Sequence, residues 1–351
     1  MSFKVQTVLG DVSPERLGKT LTHEHLAMKF SHFYREPPSE IRHECENPNF
    51  PREHLGYIRQ YPYSNKSNLL LNDENAKNAV RKDVKHYKLH HGGTIVENST
   101  EGLERDIHFY KQVSEETGVH VVAGTGFYIE DVQEHQTINY KVEDMYNHMI
   151  QELTNGCVGY PEVKSGFMGE IASVWPIRDF ERRAIKAAGE VQTQVRCGVS
   201  FHPHRDENAP EEILRIFTEA GGRADKAVMS HLDRTLLDPV KLLEFAELGS
   251  YCQFDLFGTE VSFYQLNVAT DMPSDAQRIN MIRQIVNEGK VDRVLMSHDI
   301  HTKHRLLEYG GHGYAHINVN VLPKMAMKGF SKGEIDMITI TNPARWLAVP
   351  Y

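Results

Sequence analysis

The strongest constraint on the fold is a regular alternation, along most of the chain, of short apolar runs and longer segments with helical periodicity. The short apolar runs mark the predicted strands. They are eight in number: Thr20–Thr22, Thr94–Val96, Val119–Ala123, Phe167–Met168, Val199–Phe201, Ala227–Met229, Tyr251–Phe254 and Val294–Met296. Strands that alternate with helices predict a parallel sheet with right-handed crossovers.

The segments between the runs predict amphipathic helices. Phe180, Ala184, Ala187 and Val191 fall on one helical face, and the segment before the third run stops at Gly118. Eight strand–helix units in 351 residues favour a closed (β/α)₈ TIM barrel over an open doubly wound sheet. We therefore predict one α/β barrel domain over residues 1–351.

Residues 29–75 interrupt the alternation after the first strand. This stretch holds Pro37, Pro38, Pro48, Pro51 and Pro62, with aromatic residues among polar ones. Its aromatic content argues against a disordered loop. We interpret it as an insertion that is part lid and part capping structure.

Charge and cysteine content exclude several classes of partner. The formal net charge is −9 and basic residues are not clustered, which argues against nucleic acid. No apolar run approaches the ~20 residues of a membrane span, and the N-terminus lacks a secretory pattern. Four widely spaced cysteines predict free thiols in a reducing compartment, so we expect a cytoplasmic protein with a small-molecule substrate.

The 20 histidines are informative through their positions. His23 and His25 end the first strand, and residues two apart on a strand point to the same side. Glu170, His202 and His231 follow the fourth, fifth and sixth strands, and His298-Asp299 follows the eighth, where either residue is a candidate ligand. The carboxyl ends of barrel strands meet at one mouth, where active sites are built. One such histidine alone would indicate only a packed or surface residue, but the set predicts a metal centre.

Four imidazoles and two carboxylates exceed the needs of one catalytic ion that keeps an open position. They suit two divalent ions bridged by Glu170, and nitrogen with oxygen ligands favours Zn²⁺, with Mn²⁺ or Co²⁺ as alternatives. Two adjacent cations stabilise a shared hydroxide, and Asp299 is then placed to take its proton and return it to the leaving group. The sequence thus predicts a metal-dependent hydrolase with Asp299 as its catalytic acid–base.

Three further residues are candidates for substrate binding. Arg234, three residues after His231, would hold an anionic group, although a salt bridge with Asp233 or with another carboxylate at the barrel mouth is an equal alternative. Asn98 and Tyr128 follow the second and third strands and would donate hydrogen bonds to the substrate.

These residues resemble the phosphotriesterase-related proteins of the amidohydrolase superfamily. The resemblance covers nearly the whole chain and is carried by five segments: Leu21–His25, Gly169–Ile171, Ser230–Thr235, Ser297–Lys303 and Gly310–Tyr314. It implies His23 and His25 on the more buried ion, His202 and His231 on the more exposed one, and Glu170 as the bridge. It also selects Asp299 over His298 as ligand and proton shuttle. A homodimer formed through the outer helices is a further expectation for barrels of this kind.

This chain differs from the organophosphate-degrading phosphotriesterases at the residue that bridges the two metal ions. Those enzymes use a carboxylated lysine where this chain has Glu170, and Lys164 lies too far upstream to replace it. Animal members of the phosphotriesterase-related group are associated with hydrolysis of N-acyl amino-sulfonates such as N-acetyltaurine, so amide hydrolysis is the implied activity. The alternatives are an esterase, lactonase or phosphoester hydrolase and, in another class, a non-catalytic metal-binding scaffold.

Overall fold

A computed structural model describes residues 2–351 and contains eleven strands. In chain order they are β1 (Phe3–Thr7), β2 (Gly10–Val12), β3 (Lys19–Glu24), β4 (Gly92–Glu97), β5 (His120–Thr125), β6 (Phe167–Ala172), β7 (Val199–His202), β8 (Ala227–Met229), β9 (Tyr251–Phe254), β10 (Val294–Met296) and β11 (Val349–Pro350). Strands β3 to β10 form one 8-stranded parallel sheet in consecutive order. The predicted barrel is confirmed, and each predicted strand overlaps one of these eight.

The sheet closes on itself between β3 and β10. The backbone N–H of His23 donates to Oγ of Ser297 at 3.0 Å, and the N–H of Asp299 donates to the carbonyl of His23 at 3.1 Å. Oγ1 of Thr22 donates to the carbonyl of Met296 at 3.3 Å. These contacts bring the first and last strands of the barrel, and the polar residues at their ends, to the same place.

Apolar side chains fill the barrel below its polar mouth. Val96, Val122, Phe167 and Leu295 come from four different strands and pack in one cluster with Trp346. The rings of Phe167 and Trp346 have centroids 5.4 Å apart. A packed interior of this kind leaves only the carboxyl ends of the strands for a site.

Within residues 2–351, fourteen α-helices accompany the strands. They are α1 (Arg42–Glu46), α2 (Leu55–Gln60), α3 (Glu74–Leu89), α4 (Ile107–Thr117), α5 (His135–Ile138), α6 (Val142–Thr154), α7 (Asp179–Val195), α8 (Ala209–Glu219), α9 (Leu232–Thr235), α10 (Pro239–Glu247), α11 (Asp275–Asn287), α12 (Leu322–Met327), α13 (Lys332–Asp336) and α14 (Asn342–Leu347). Helix α4 ends at Gly118, whose φ of 65° suits a residue without a side chain. None of the helices within residues 2–351 has the length and apolar character needed to span a bilayer.

The stretch between β3 and α3 consists of α1, α2 and short 3₁₀ turns. Its two ends are joined where the N–H of Phe30 donates to the carbonyl of Leu69 at 2.8 Å. Helix α3 begins at Glu74, so the last two residues of the predicted insertion belong to that helix. Phe30 and Tyr63 from this stretch line the cavity at the barrel mouth. That it acts as a lid remains a prediction.

A small antiparallel sheet that was not predicted lies outside the barrel, and in it β1 pairs with both β2 and β11. It joins the two ends of the described chain. All four cysteines are buried free thiols, as expected.

Candidate metal centre

All six predicted metal ligands converge at the carboxyl end of the barrel. His23 lies in β3 with His25 just beyond it, Glu170 lies in β6, and His202 is the last residue of β7. His231 and Asp299 follow β8 and β10. Each is at least nine-tenths buried, from 0% exposure for His23 to 8% for His202.

Glu170 lies at the middle of the group. Its Oε2 is 2.8 Å from Nδ1 of His202, 3.3 Å from Nε2 of His23 and 3.6 Å from Nε2 of His231. Its other oxygen, Oε1, is 3.6 Å from Nε2 of His25. One carboxylate therefore faces imidazoles through both of its oxygens, which is the arrangement that a bridging ligand needs.

Asp299 completes the side of the group that contains His25. Its Oδ1 is 3.2 Å from Nε2 of His25 and 3.8 Å from Nε2 of His23. Its Oδ2 is 3.3 Å from Nδ1 of His301, a residue that the sequence analysis did not single out. Nε2 of His301 in turn lies 3.1 Å from the hydroxyl of Tyr63.

The donor set fits divalent cations. Nε2 of His23 is buried and has no hydrogen-bond partner among residues 2–351, although it points at two carboxylates. Two sets of three atoms each lie within 4.8 Å of one another, one from His23, Glu170 and His231, the other from His23, His25 and Asp299. Nitrogen and oxygen atoms gathered in this way are the ligands that Zn²⁺ and related ions take in proteins.

The charges of the group also favour cations. Burial raises the pKa of Glu170, but His202 and His23 outweigh this and hold it well below its usual value. Burial lowers the pKa of His23, but Glu170 and Asp255 outweigh this and raise it to about 10. For His202 burial dominates and lowers the pKa to about 3, so its imidazole is neutral with a lone pair available. The carboxylates thus remain ionised and attract positive charge, as a proton or as a metal ion.

Hydrogen bonds to the Nδ1 atoms of two of the predicted histidine ligands fix the orientation of their rings. Asp255 accepts from Nδ1 of His231 at 2.7 Å, and Nδ1 of His25 lies 2.9 Å from Oγ of Ser99. Ser99 in turn donates to Glu97 at 2.8 Å. Hydrogen bonds of this type turn the other ring nitrogen toward the metal and increase its basicity. Asp255 follows the seventh barrel strand, and its position after a strand was the only signal available in the sequence.

The register of the sheet explains how Glu170 reaches the mouth. Phe167 points into the barrel interior, and Glu170, three residues later on the same strand, would face outward under strict alternation. The pairing of β6 with β7 shifts between Met168 and Ile171, which changes the parity of the strand there.

His298 does not join the group. Its Nδ1 lies 2.8 Å from Oε1 of Glu24, and its Nε2 accepts the N–H of Ile317 at 3.1 Å. Glu24 lies between His23 and His25 in sequence, and its carboxylate accepts from Ser297 and His298 instead of joining the predicted ligands. Both ring nitrogens of His298 are therefore engaged, and Asp299 is the residue that faces the centre.

A cavity opens beside the ligands, and two of the three predicted substrate residues line it: Tyr128 and Arg234. The hydroxyl of Tyr128 lies 3.4 Å from Nδ1 of His202. Arg234 donates to the carbonyl of Pro203 at 3.2 Å and lies 3.4 Å from Nε2 of His202. The alternative salt bridge with Asp233 is not formed, because Asp233 binds Arg278 at 2.8 Å.

Asn98 is placed differently from the expectation. Its side-chain amide donates to the carbonyls of Thr22 and Val96, at 3.2 and 3.0 Å, and it does not line the cavity. The backbone carbonyl of Asn98 accepts the backbone N–H of Glu170 at 2.9 Å. Asn98 therefore holds the backbone around Glu170, and its contact with a substrate remains a prediction.

Comparison with known proteins agrees with this geometry. Residues 3–347 match the model of the phosphotriesterase family. The chain belongs to the phosphotriesterase family. The curated phosphotriesterase-related protein of Drosophila grimshawi is 55% identical over 346 residues, covering 98% of this chain and 99% of that protein. The Drosophila melanogaster relative is 54% identical over 345 residues and 98% of each chain. The protein is accordingly a hydrolase of the phosphotriesterase-related type.

Solved structures share the fold. A resiniferatoxin-binding protein from Rhodobacter sphaeroides superposes with a TM-score of 0.93 at 28% identity, over 98% of this chain and 94% of that one. A lactonase from Listeria monocytogenes gives a TM-score of 0.77 at 22% identity, over 98% of both chains. A phosphotriesterase homology protein from Escherichia coli, with phosphate in its active site, gives a TM-score of 0.74 at 23% identity, over 95% of this chain and 99% of that one.

Proposed function

We propose that this chain is a binuclear metal-dependent amidohydrolase that cleaves a small N-acyl amide with an anionic amine half, such as N-acetyltaurine. The observation that carries the substrate class is Arg234, a buried cation that lines the same cavity as Glu170, His202 and Asp299. It forms no ion pair with a carboxylate among residues 2–351. A substrate anion would supply the missing charge.

The six predicted ligands would divide between two ions. One ion would be held by His23, His25 and Asp299. The other ion would be held by His202 and His231, and Glu170 would bind both ions. When bound, such a pair supplies Lewis-acid activation of water and of the scissile carbonyl. Zn²⁺ is the ion we propose, with Mn²⁺ or Co²⁺ as alternatives, because the ligands are nitrogen and oxygen without thiolate.

The chain's own residues would orient the substrate and move the proton. Asp299 is ionised, because His301 and His25 hold its pKa well below the usual value despite burial. It can accept the proton of the attacking water at a carboxylate oxygen and return it to the departing amine nitrogen. The hydroxyl of Tyr128 lies in the cavity wall and would donate to the acyl oxygen.

An ester or lactone is the alternative substrate class. The same ligand set can activate water against any carbonyl, and the fold is shared with the Listeria monocytogenes lactonase. A phosphoester is the third class, given the phosphate in the Escherichia coli relative. We favour the amide because an uncharged lactone would leave the buried Arg234 without a counter-ion.

A hydrolysis screen of the metal-loaded protein tests the proposal. N-acetyltaurine, other N-acyl amino acids, lactones and phosphoesters are compared, with Asp299→Asn as the variant that lacks the proton carrier. We expect amide cleavage by the wild type and a loss of about 10²–10⁴-fold in kcat for the variant. Cleavage of lactones without any amide would contradict the amide assignment. Equal activity of the variant would contradict the role of Asp299.

A further inference from the structure

A second arginine lines the cavity that contains Arg234. Arg205 follows His202 by three residues, and its guanidinium faces the same space. Its Nε and Nη2 donate to the hydroxyl of Tyr264 at 3.2 and 2.9 Å. Tyr264 also presents its ring, whose centroid lies 5.8 Å from Cζ of Arg205. Tyr264 therefore holds the guanidinium through its hydroxyl and does not supply the carboxylate that an ion pair would need.

Neither arginine has a carboxylate within 4.0 Å of its guanidinium in the part of the chain that the structure describes. Arg305 is also buried without an ion pair, but it donates to the backbone carbonyls of His298 and Asp299. Two other arginines do form ion pairs with carboxylates. Arg278 binds Asp233 and Asp275 at 2.8 and 3.0 Å, and Arg105 binds Glu152 at 2.5 Å. An arginine is always charged, and a buried arginine without a counter-ion, such as Arg234, costs free energy unless an anion is bound. The half-buried Arg205 adds a second positive charge to the same cavity.

The cavity has two chemically different regions. Glu170, His202 and Asp299 form the metal-binding region, and Arg205 and Arg234 form the cationic one. Leu256, Leu266 and Met272 also line the cavity and offer contacts for methylene and methyl groups. A substrate with a scissile bond at one end and an oxyanion at the other would match both regions.

We propose that Arg205 and Arg234 together form a clamp that binds the sulfonate or carboxylate of the substrate's amine half. This inference rests on the proposed function, since it places the amine half of the amide in that clamp. Each guanidinium can donate two parallel hydrogen bonds to an oxyanion. A sulfonate offers three oxygens to the two guanidinium groups, whereas a carboxylate offers two. The clamp should therefore prefer a sulfonate to a carboxylate, and either to a neutral group.

Arg205→Gln and Arg234→Gln test the clamp on three acetamides of similar length. N-acetyltaurine carries a sulfonate, N-acetyl-β-alanine a carboxylate, and N-acetylethanolamine a neutral hydroxyl. Arg223→Gln is the matched control, because it removes the same charge from an exposed ion pair with Asp225. Melting temperatures of all variants, with Arg205→Lys and Arg234→Lys as charge-preserving versions, identify any loss of folding.

We expect the wild type to prefer the anionic substrates to the neutral one in kcat/KM. Each glutamine variant should lower that preference by about 10–100-fold, mainly through KM, because a hydrogen-bonded charge is lost. The lysine variants should recover part of the preference, and Arg223→Gln should keep all of it. Equal use of anionic and neutral substrates by the wild type would overturn the clamp, as would an unchanged preference in Arg205→Gln.

Calorimetric titration with ethanesulfonate separates this inference from the proposed function. If the wild type hydrolysed no amide, the proposed function would fail, yet ethanesulfonate should still bind. Binding to the wild type that is lost in Arg205→Gln and retained in Arg223→Gln would support the clamp. Absence of binding to the metal-loaded wild type would overturn it.

Discussion

The carboxylate of Asp255 lies 2.7 Å from Nδ1 of His231, on the other side of the imidazole from Glu170. It also accepts the backbone N–H of His231, at 3.1 Å from each of its oxygens. Asp255 thereby fixes both the ring and the backbone of this predicted ligand. Burial raises the pKa of Asp255, but His231 and His23 outweigh this and lower it, so the group is an anion.

Asp255→Asn should weaken metal binding by about 10–100-fold, because Nε2 of His231 loses the partner that orients it and increases its basicity. Competition against a chromogenic chelator measures the affinity. Asp225→Asn, at an exposed ion pair with Arg223, is the control. Equal affinities in the wild type and Asp255→Asn would show that this contact does not tune the centre.

Glu170→Gln should reduce the bound metal from two ions per chain to one or fewer. Glutamine has no charge and only one oxygen, so it cannot bridge two cations as a carboxylate does. Elemental analysis after gentle purification gives the metal content. The exposed Glu162 provides the control, as Glu162→Gln. Retention of two ions in Glu170→Gln would rule out the bridge.

How far the sequence predicts this site depends on the residue. The positions of His202 and His231 follow from apolar runs that end in a polar residue, because carboxyl ends of parallel strands must meet in a closed barrel. Asp255 and Glu97 also lie at the carboxyl ends of strands. The sequence alone does not distinguish an acidic residue that orients a metal ligand from one that only stabilises the fold. Which of them faces a histidine depends on side-chain packing across strands.

Arg205 and Tyr63 illustrate a second limit. Arg205 lies beyond Pro203, in a loop whose path no periodicity predicts, and Tyr63 belongs to the stretch between β3 and α3. Their presence in the cavity depends on long-range folding of irregular segments. Asn98 is the opposite case. Its place after a strand suggested the cavity, but its amide is used by neighbouring backbone carbonyls.

Arg105→Met should lower the free energy of unfolding by about 3–5 kcal/mol, because it removes the guanidinium that pairs with a buried carboxylate. Nη2 of Arg105 lies 2.5 Å from Oε1 of Glu152, which has 0% exposure, and 2.9 Å from Glu101. Urea denaturation at pH 7 measures the loss. Metal content should stay at the wild-type level, since none of these residues faces Glu170.

The effect of Arg105→Met should shrink in acid. Burial raises the pKa of Glu152, but Arg105 outweighs this and holds it below the ordinary value of 4.5. A lowered pKa in the folded state stabilises the fold above the unfolded value, and this contribution disappears as the pH falls through the folded value. Denaturation at pH 7 and pH 4 should therefore give a smaller difference between wild type and variant at pH 4. A difference independent of pH would contradict the role of the ion pair.

Anomalous diffraction from zinc-loaded crystals tests the metal centre most directly. Two peaks about 3.5–4 Å apart, one on each side of the Glu170 carboxylate, are the predicted result. His23, His25 and Asp299 should surround one peak, and His202 and His231 the other. A single peak, or imidazoles that turn away from Glu170 when zinc is bound, would contradict a binuclear centre in this protein.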